Sequence, residues 1–312
     1  MLSEEWTYRD QGGEDIHTYV WLPDQEAEIR GIVQIAHGMA ETALRYKRFA
    51  HALTEAGYAV YANDHRGHGR TAGNPQRLGI VGRDGFRLMC GGMAQLTDLI
   101  RERHPHLPVY LFGHSMGSFL TQRYMYTYPD KADGIILSGS NGPQGRALQL
   151  GIWLAKQVVS RKGEGHRSML LLHLTLGGYN RAFRPNRTLF DWLSRDEQEV
   201  DKYAADPDCG AVFSAQFWEE FFRCLAEIHR KENMERIPKS LPVLLFSGDR
   251  DPVGMMGKGV RRLAALYAGL GMKRVTLKLY PGGRHEMLNE INRDEVTRDV
   301  LDWLNGMLTT KA

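Results

Sequence analysis

Residues 108–128 read PVYLFGHSMGSFLTQRYMYTY. An apolar run, 108–112, meets the turn Gly113-His114-Ser115-Met116-Gly117, and an amphipathic stretch follows over 116–128. A Gly-x-Ser-x-Gly string alone is a weak signal. Between a predicted strand and a predicted helix it has the strand–turn–helix setting of a nucleophile elbow. The reason is steric. Flanking glycines leave room for neighbouring backbone, the serine hydroxyl projects outward, and the helix start supplies unpaired N–H groups and a positive dipole end. The bland alternative is a tight turn with a serine helix cap.

Outward from this turn the chain alternates. Strands are predicted at 16–22, 31–36, 58–63, 134–138, 242–247 and 274–280. Helices are predicted at 44–56, 86–103 (despite Gly91 and Gly92), 257–269 and 294–308. Strands separated by helices imply βαβ units and a mostly parallel sheet. The alternation lapses over 141–238, where helical patterns at 147–160, 168–176, 189–204 and 214–229 follow one another. An α/β core of 1–140 and 239–312 with a helical insertion, 141–238, is therefore expected.

A serine hydroxyl needs an adjacent base, and the base an orienting acid. At an elbow of this kind they follow in the order acid, then histidine. The strand at 242–247 leads into Gly248-Asp249-Arg250-Asp251-Pro252, with two candidate acids. Asp251, further past the strand end and stiffened by Pro252, is favoured; Asp249 reads as a turn residue. The strand at 274–280 leads into Pro281-Gly282-Gly283-Arg284-His285-Glu286, and His285 has the right order and setting for the base. The developing oxyanion needs fixed donors. The backbone N–H of Met116 is one, and that of Met39, in the loop His37-Gly38-Met39-Ala40-Glu41, is the second. Glu41 reads as a brace for that loop. Asp64-His65-Arg66-Gly67-His68-Gly69 reads as a strand-end loop pinned by its own side chains.

Composition excludes other classes. The chain has 312 residues, 40 basic and 37 acidic side chains, a net charge of +3 and 42% hydrophobic residues. The basic residues form no block, which argues against nucleic acid as a partner. No apolar run approaches a membrane span. The N-terminus is acidic and polar, without a signal-type apolar stretch, and three cysteines without metal spacing read as free thiols; a cytoplasmic location is expected. No metal or cofactor is implied.

Taken together, HGMAE at 37–41, DHRGHG at 64–69, GHSMG at 113–117, SGDRDPVG at 247–254 and PGGRHE at 281–286 resemble the α/β-hydrolases of the monoacylglycerol lipase and lysophospholipase group, filed with the serine aminopeptidase-like hydrolases. The resemblance spans nearly the whole chain. It implies an eight-stranded, mostly parallel sheet flanked by helices, with a helical cap after the sixth strand. It also implies a Ser115–Asp251–His285 triad with Met39 and Met116 as oxyanion donors. Ser118 departs from the glycine usual after the elbow, predicting looser or shifted helix packing there; Thr71 replaces a common serine with little expected effect. The implied activity is cleavage of carboxylic esters through an acyl-enzyme, the substrate a small acyl ester such as a monoacylglycerol or lysophospholipid. Leu171, Leu174, Phe217 and Phe221 of the insertion are expected to line an apolar tunnel, and the insertion to touch a lipid interface transiently. Three rivals remain: an N-terminal aminopeptidase, which would need cap acids such as Glu219 and Glu220 for the α-amine, an acyltransferase, and a non-catalytic ligand receptor.

Overall fold

The computed structural model describes residues 1–24 and 28–309. Eight strands form one sheet: β1 (Leu2–Arg9), β2 (Asp15–Leu22), β3 (Gly31–Ala36), β4 (Tyr58–Asn63), β5 (Val109–His114), β6 (Gly134–Ser138), β7 (Val243–Gly248) and β8 (Val275–Tyr280). Their spatial order is β1-β2-β4-β3-β5-β6-β7-β8. β2 pairs antiparallel with β1 and β4, and every other pair is parallel. Strands β3 to β7 are buried along their whole length, because helices cover both faces; their sequences are therefore apolar runs rather than alternations.

β1 has no counterpart among the predicted strands. It carries Glu4 and Glu5, is mostly exposed, and forms the sheet's edge against β2 in the register Leu2↔Leu22 to Arg9↔Asp15. Charged edge strands guard against further pairing, and the same charges hide them in an apolar pattern.

The helices are α1 (Lys47–Glu55), α2 (Gly69–Ala72), α3 (Gly85–Arg103), α4 (Met116–Thr127), α5 (Arg146–Lys162), α6 (Met169–Leu176), α7 (Glu197–Ala205), α8 (Ala215–Glu227), α9 (Lys231–Met234), α10 (Lys258–Gly269) and α11 (Arg293–Thr309). On one face of the sheet Met89, Met93, Leu120 and Tyr124 pack together; on the other, Phe49, Phe112, Val300 and Leu304 do. α5 to α9 all lie between β6 and β7. The helix predicted over 189–204 is shorter than expected. Residues 189–196 are irregular, and α7 starts only after Asp196, whose carboxylate accepts from the N–H groups of Gln198 and Glu199. Among the described residues no helix is long and apolar enough to cross a membrane.

Candidate active site

Parallel strands end on a common edge, where ligands of open α/β sheets bind. Ser115 sits there between β5 and α4 with φ 50° and ψ −118°, a backbone region that non-glycine residues rarely occupy. Its N–H donates to the Ser138 carbonyl (3.0 Å), tying the turn to β6. Gly117 is obligatory: a Cβ there would lie 2.0 Å from the Ala36 carbonyl oxygen. The looser packing expected at Ser118 is not found. The Ser118 hydroxyl is fully buried, donates to the Ser115 carbonyl (2.6 Å) and lies 2.9 Å from the Ser140 hydroxyl, so it braces the elbow.

Asp251 and His285 meet, although 34 positions apart. The imidazole Nδ1 lies 3.0 Å from both carboxylate oxygens. Both residues are buried. Asp251 is also fixed by the Ser247 hydroxyl (2.9 Å) and the Val253 N–H (2.8 Å). Burial would raise its pKa, but the imidazole and these donors hold it below the usual carboxylate value. Burial opposes protonation of His285, yet Asp251 lifts its pKa above 6.5. Nδ1–H donating to the carboxylate leaves the lone pair on Nε2. Asp249 instead accepts from the Gly282 N–H (2.8 Å), 33 positions on, tying its loop to the one that carries His285 and not closing its own turn.

The imidazole of His285 has little freedom. His114 packs against it with ring centroids 4.7 Å apart, and Trp192 at 5.0 Å. Gly139, at φ +57°, leaves the space at its edge: a Cβ there would lie 2.9 Å from His285 Cε1. Gly139→Ala should therefore lower kcat by about 100-fold, the size expected when a reacting group is misplaced by an ångström. Steady-state kinetics on a variant with a native circular dichroism spectrum checks this; unchanged kcat would show that the ring moves freely.

The loop carrying Met39 is locked by a charged network. The Gly38 N–H donates to Glu41 Oε1 (2.5 Å), as does the Tyr46 hydroxyl (2.9 Å). Arg45 donates to Glu41 (2.6 Å) and makes a two-pronged bond to Glu286 (2.7 Å each). Buried Glu286 would otherwise titrate high; Arg45 holds it at about 2. His37 accepts the His65 N–H on Nε2 (2.9 Å), so Nδ1 carries its proton and donates to the Gly38 carbonyl (2.7 Å). Burial lowers the His37 pKa to about 4, keeping this tautomer neutral. Asp64 accepts from the N–H groups of Ala43 and Arg70 (2.8 Å each), so the DHRGHG loop is pinned as its composition suggested. Arg45 and Glu286 escape sequence reading because they lie 241 positions apart; the Glu41–Arg45 spacing of four was the one local signal.

Ser115, Met39, Met116 and His285 line one cavity of about 400 Å³. That is ample for a small ligand. Its walls are mostly apolar: Phe119, Leu172, Leu176, Phe213, Phe222 and Leu225 are among them. Of the four insertion residues expected to line it, Phe221 does and three do not. Leu171 points into the protein core at 1% exposure, and Leu174 points to solvent at 62%. Phe217 is buried against Phe213 and Phe86. α6 is apolar on all sides, so periodicity could not tell which side faces the cavity; Leu172 and Leu176 do. Glu219 and Glu220, the acids that an aminopeptidase would need, are engaged elsewhere: Glu219 pairs with Arg223 and Glu220 accepts from the Phe86 N–H, both outside the cavity.

The family model for serine aminopeptidase, S33, matches residues 27–292. The chain is 31% identical to a monoacylglycerol lipase of Mycolicibacterium smegmatis, over 96% of each chain. It is 27% identical to the monoglyceride lipase of Homo sapiens, over 91% of this chain and 84% of that one. Among solved structures, a thermostable carboxyl esterase from Bacillus coagulans superposes with a TM-score of 0.91 at 30% identity, over 99% of both chains. The chain thus belongs to the serine aminopeptidase S33 family of α/β-hydrolases, in the ester-cleaving group that holds the monoacylglycerol lipases.

Proposed function

We propose that the chain hydrolyses monoacyl lipid esters, monoacylglycerols or lysophospholipids, through an acyl-enzyme on Ser115. The observation that carries this is one apolar cavity shared by a strained serine and a buried His285–Asp251 pair. Ser115 Oγ attacks the ester carbonyl while His285 Nε2 takes its proton. The N–H groups of Met39 and Met116 hold the oxyanion. His285 then protonates the leaving alcohol, and water repeats the cycle on the acyl group. Asp251 fixes the tautomer throughout. Residues 141–238 act as a cap whose apolar wall receives the acyl chain, each buried methylene contributing about 0.8 kcal/mol.

Esters are favoured over aminoacyl substrates by the cavity's charges. An α-amine needs a free carboxylate, and the two glutamates on the wall, Glu41 and Glu286, are both paired with Arg45. Exposed Leu150, Trp153, Met169, Leu170 and Leu174 on α5 and α6 suit brief contact with a lipid surface, with Met169 also at the cavity wall. Three unpaired thiols suit a reducing cytoplasm.

The test is a substrate panel: monoacylglycerols and lysophospholipids of increasing chain length, short nitrophenyl esters, and aminoacyl amides. We expect kcat/KM to rise with acyl length until the cavity fills. Fastest turnover of the amides would overturn the reading.

A further inference from the structure

The loop carrying His285 is hydrogen bonded along its length to residues 191–195, the irregular stretch before α7. The His285 N–H donates to the Trp192 carbonyl (3.4 Å), and the Glu286 N–H to the Leu193 carbonyl (2.8 Å). The Arg284 guanidinium donates to the carbonyls of Asp191 and Ser194, and lies 4.3 Å from the Phe183 ring centroid. In the other direction, the Ser194 hydroxyl donates to the Asn289 carbonyl (2.8 Å). Fully buried Glu290 accepts from the Arg284 N–H (2.8 Å), the Arg195 N–H (3.2 Å) and Arg195 Nε (2.9 Å). Donors run both ways, so neither segment can shift without breaking bonds of the other. From this segment Trp192 lays its ring on the imidazole, and Tyr179 backs the indole at 5.1 Å.

We propose that residues 191–195 are a strap that positions His285, with Trp192 as the positioning residue that fixes the imidazole and keeps water from it. This rests on His285 being the general base. The insertion then serves the chemistry itself as well as the acyl chain. The charged or titratable groups facing the imidazole are Asp251 beyond β7, His114 at the end of β5, Glu41 beyond β3 with its partner Arg45, and Glu286 beside it. Removing the indole relieves burial and leaves these groups in place. The imidazole then protonates more readily, and the acid limb of kcat/KM moves to higher pH.

Arg284 is outside the cavity wall, so Arg284→Met tests the strap without touching bound substrate. We expect kcat to fall about 10- to 100-fold, with KM within about threefold of wild type. Arg284→Lys, which keeps a donor for the strap carbonyls, should recover part of the loss. Trp192→Ala should lower kcat and raise the midpoint of the acid limb, and Trp192→Phe should do less of both. An imidazolium in ring contact quenches indole emission. Wild-type fluorescence should therefore drop on acidification at the midpoint of the acid limb, and the drop should vanish in Trp192→Phe and in His285→Gln. Wild-type kcat and acid limb in Arg284→Met and Trp192→Ala, or no emission change at that midpoint, would overturn the strap. If Arg284→Met does not fold, the Trp192 variants and the emission titration decide. Failure of Ser115 to react with a fluorophosphonate would instead strike the underlying assignment of base and nucleophile.

Discussion

Ser115→Ala abolishes labelling by a fluorophosphonate and lowers ester kcat/KM by about 10⁴-fold or more, the scale of nucleophile removal in serine hydrolases. In the proposed mechanism the loss is large because the hydroxyl is the one group that bonds to the acyl carbon. The proposed oxyanion donors and the cavity are left as they were, so substrate should still bind and KM should change little. The substitution is mild for the fold. Ser115 already occupies its strained conformation, and alanine bears the same Cβ, so melting temperature should stay near that of wild type. Mass spectrometry of the labelled protein should find the adduct on the peptide carrying Ser115 alone. An adduct elsewhere, or full activity in the alanine variant, rejects the mechanism.

Asp251→Asn carries the second largest effect, a fall in kcat of about 10⁴-fold. An asparagine amide can donate to Nδ1 and stabilise the tautomer with its proton on Nε2, which leaves no base toward Ser115. The pH profile shifts as well. In the wild type the carboxylate lifts the His285 pKa above 6.5 against burial, so the acid limb of kcat/KM lies above pH 6.5. Without the Asp251 carboxylate, burial is opposed only by the lesser pull of Glu286 and Glu41, and the residual activity should keep its acid limb at lower pH. Stability follows the same signs. The raised pKa of His285 adds stability that is full below about pH 6.5 and lost as pH rises through the folded value. The lowered pKa of Asp251 adds stability that is full above about pH 4 and lost as pH falls through its folded value. The wild type should exceed the variant most between these limits, as thermal melts across pH would register. An unchanged acid limb in the variant would show that Asp251 does not set the base.

The sheet was legible because its central strands are buried on both faces and must be apolar runs, which the segments 31–36, 58–63, 108–112, 134–138 and 242–247 record directly. The elbow was legible because a sharp turn into a helix demands Gly117 and tolerates Ser115. Asp251 and His285 were legible because each stands in a loop just beyond a strand, and parallel strands bring such loops to one edge. β1 was hidden by the charges an edge strand carries, and the side of α6 that faces the cavity by its uniform apolarity. The stretch 189–196 has a helical pattern, yet its carbonyls serve the His285 loop some 90 positions away instead of a helix of their own. Periodicity reports which residues are buried, and local spacing reports turns. Which groups pair across the chain, as the Arg45 guanidinium with the Glu286 carboxylate or the Trp192 carbonyl with the His285 N–H, depends on distances that exist only once the sheet has closed its loops together.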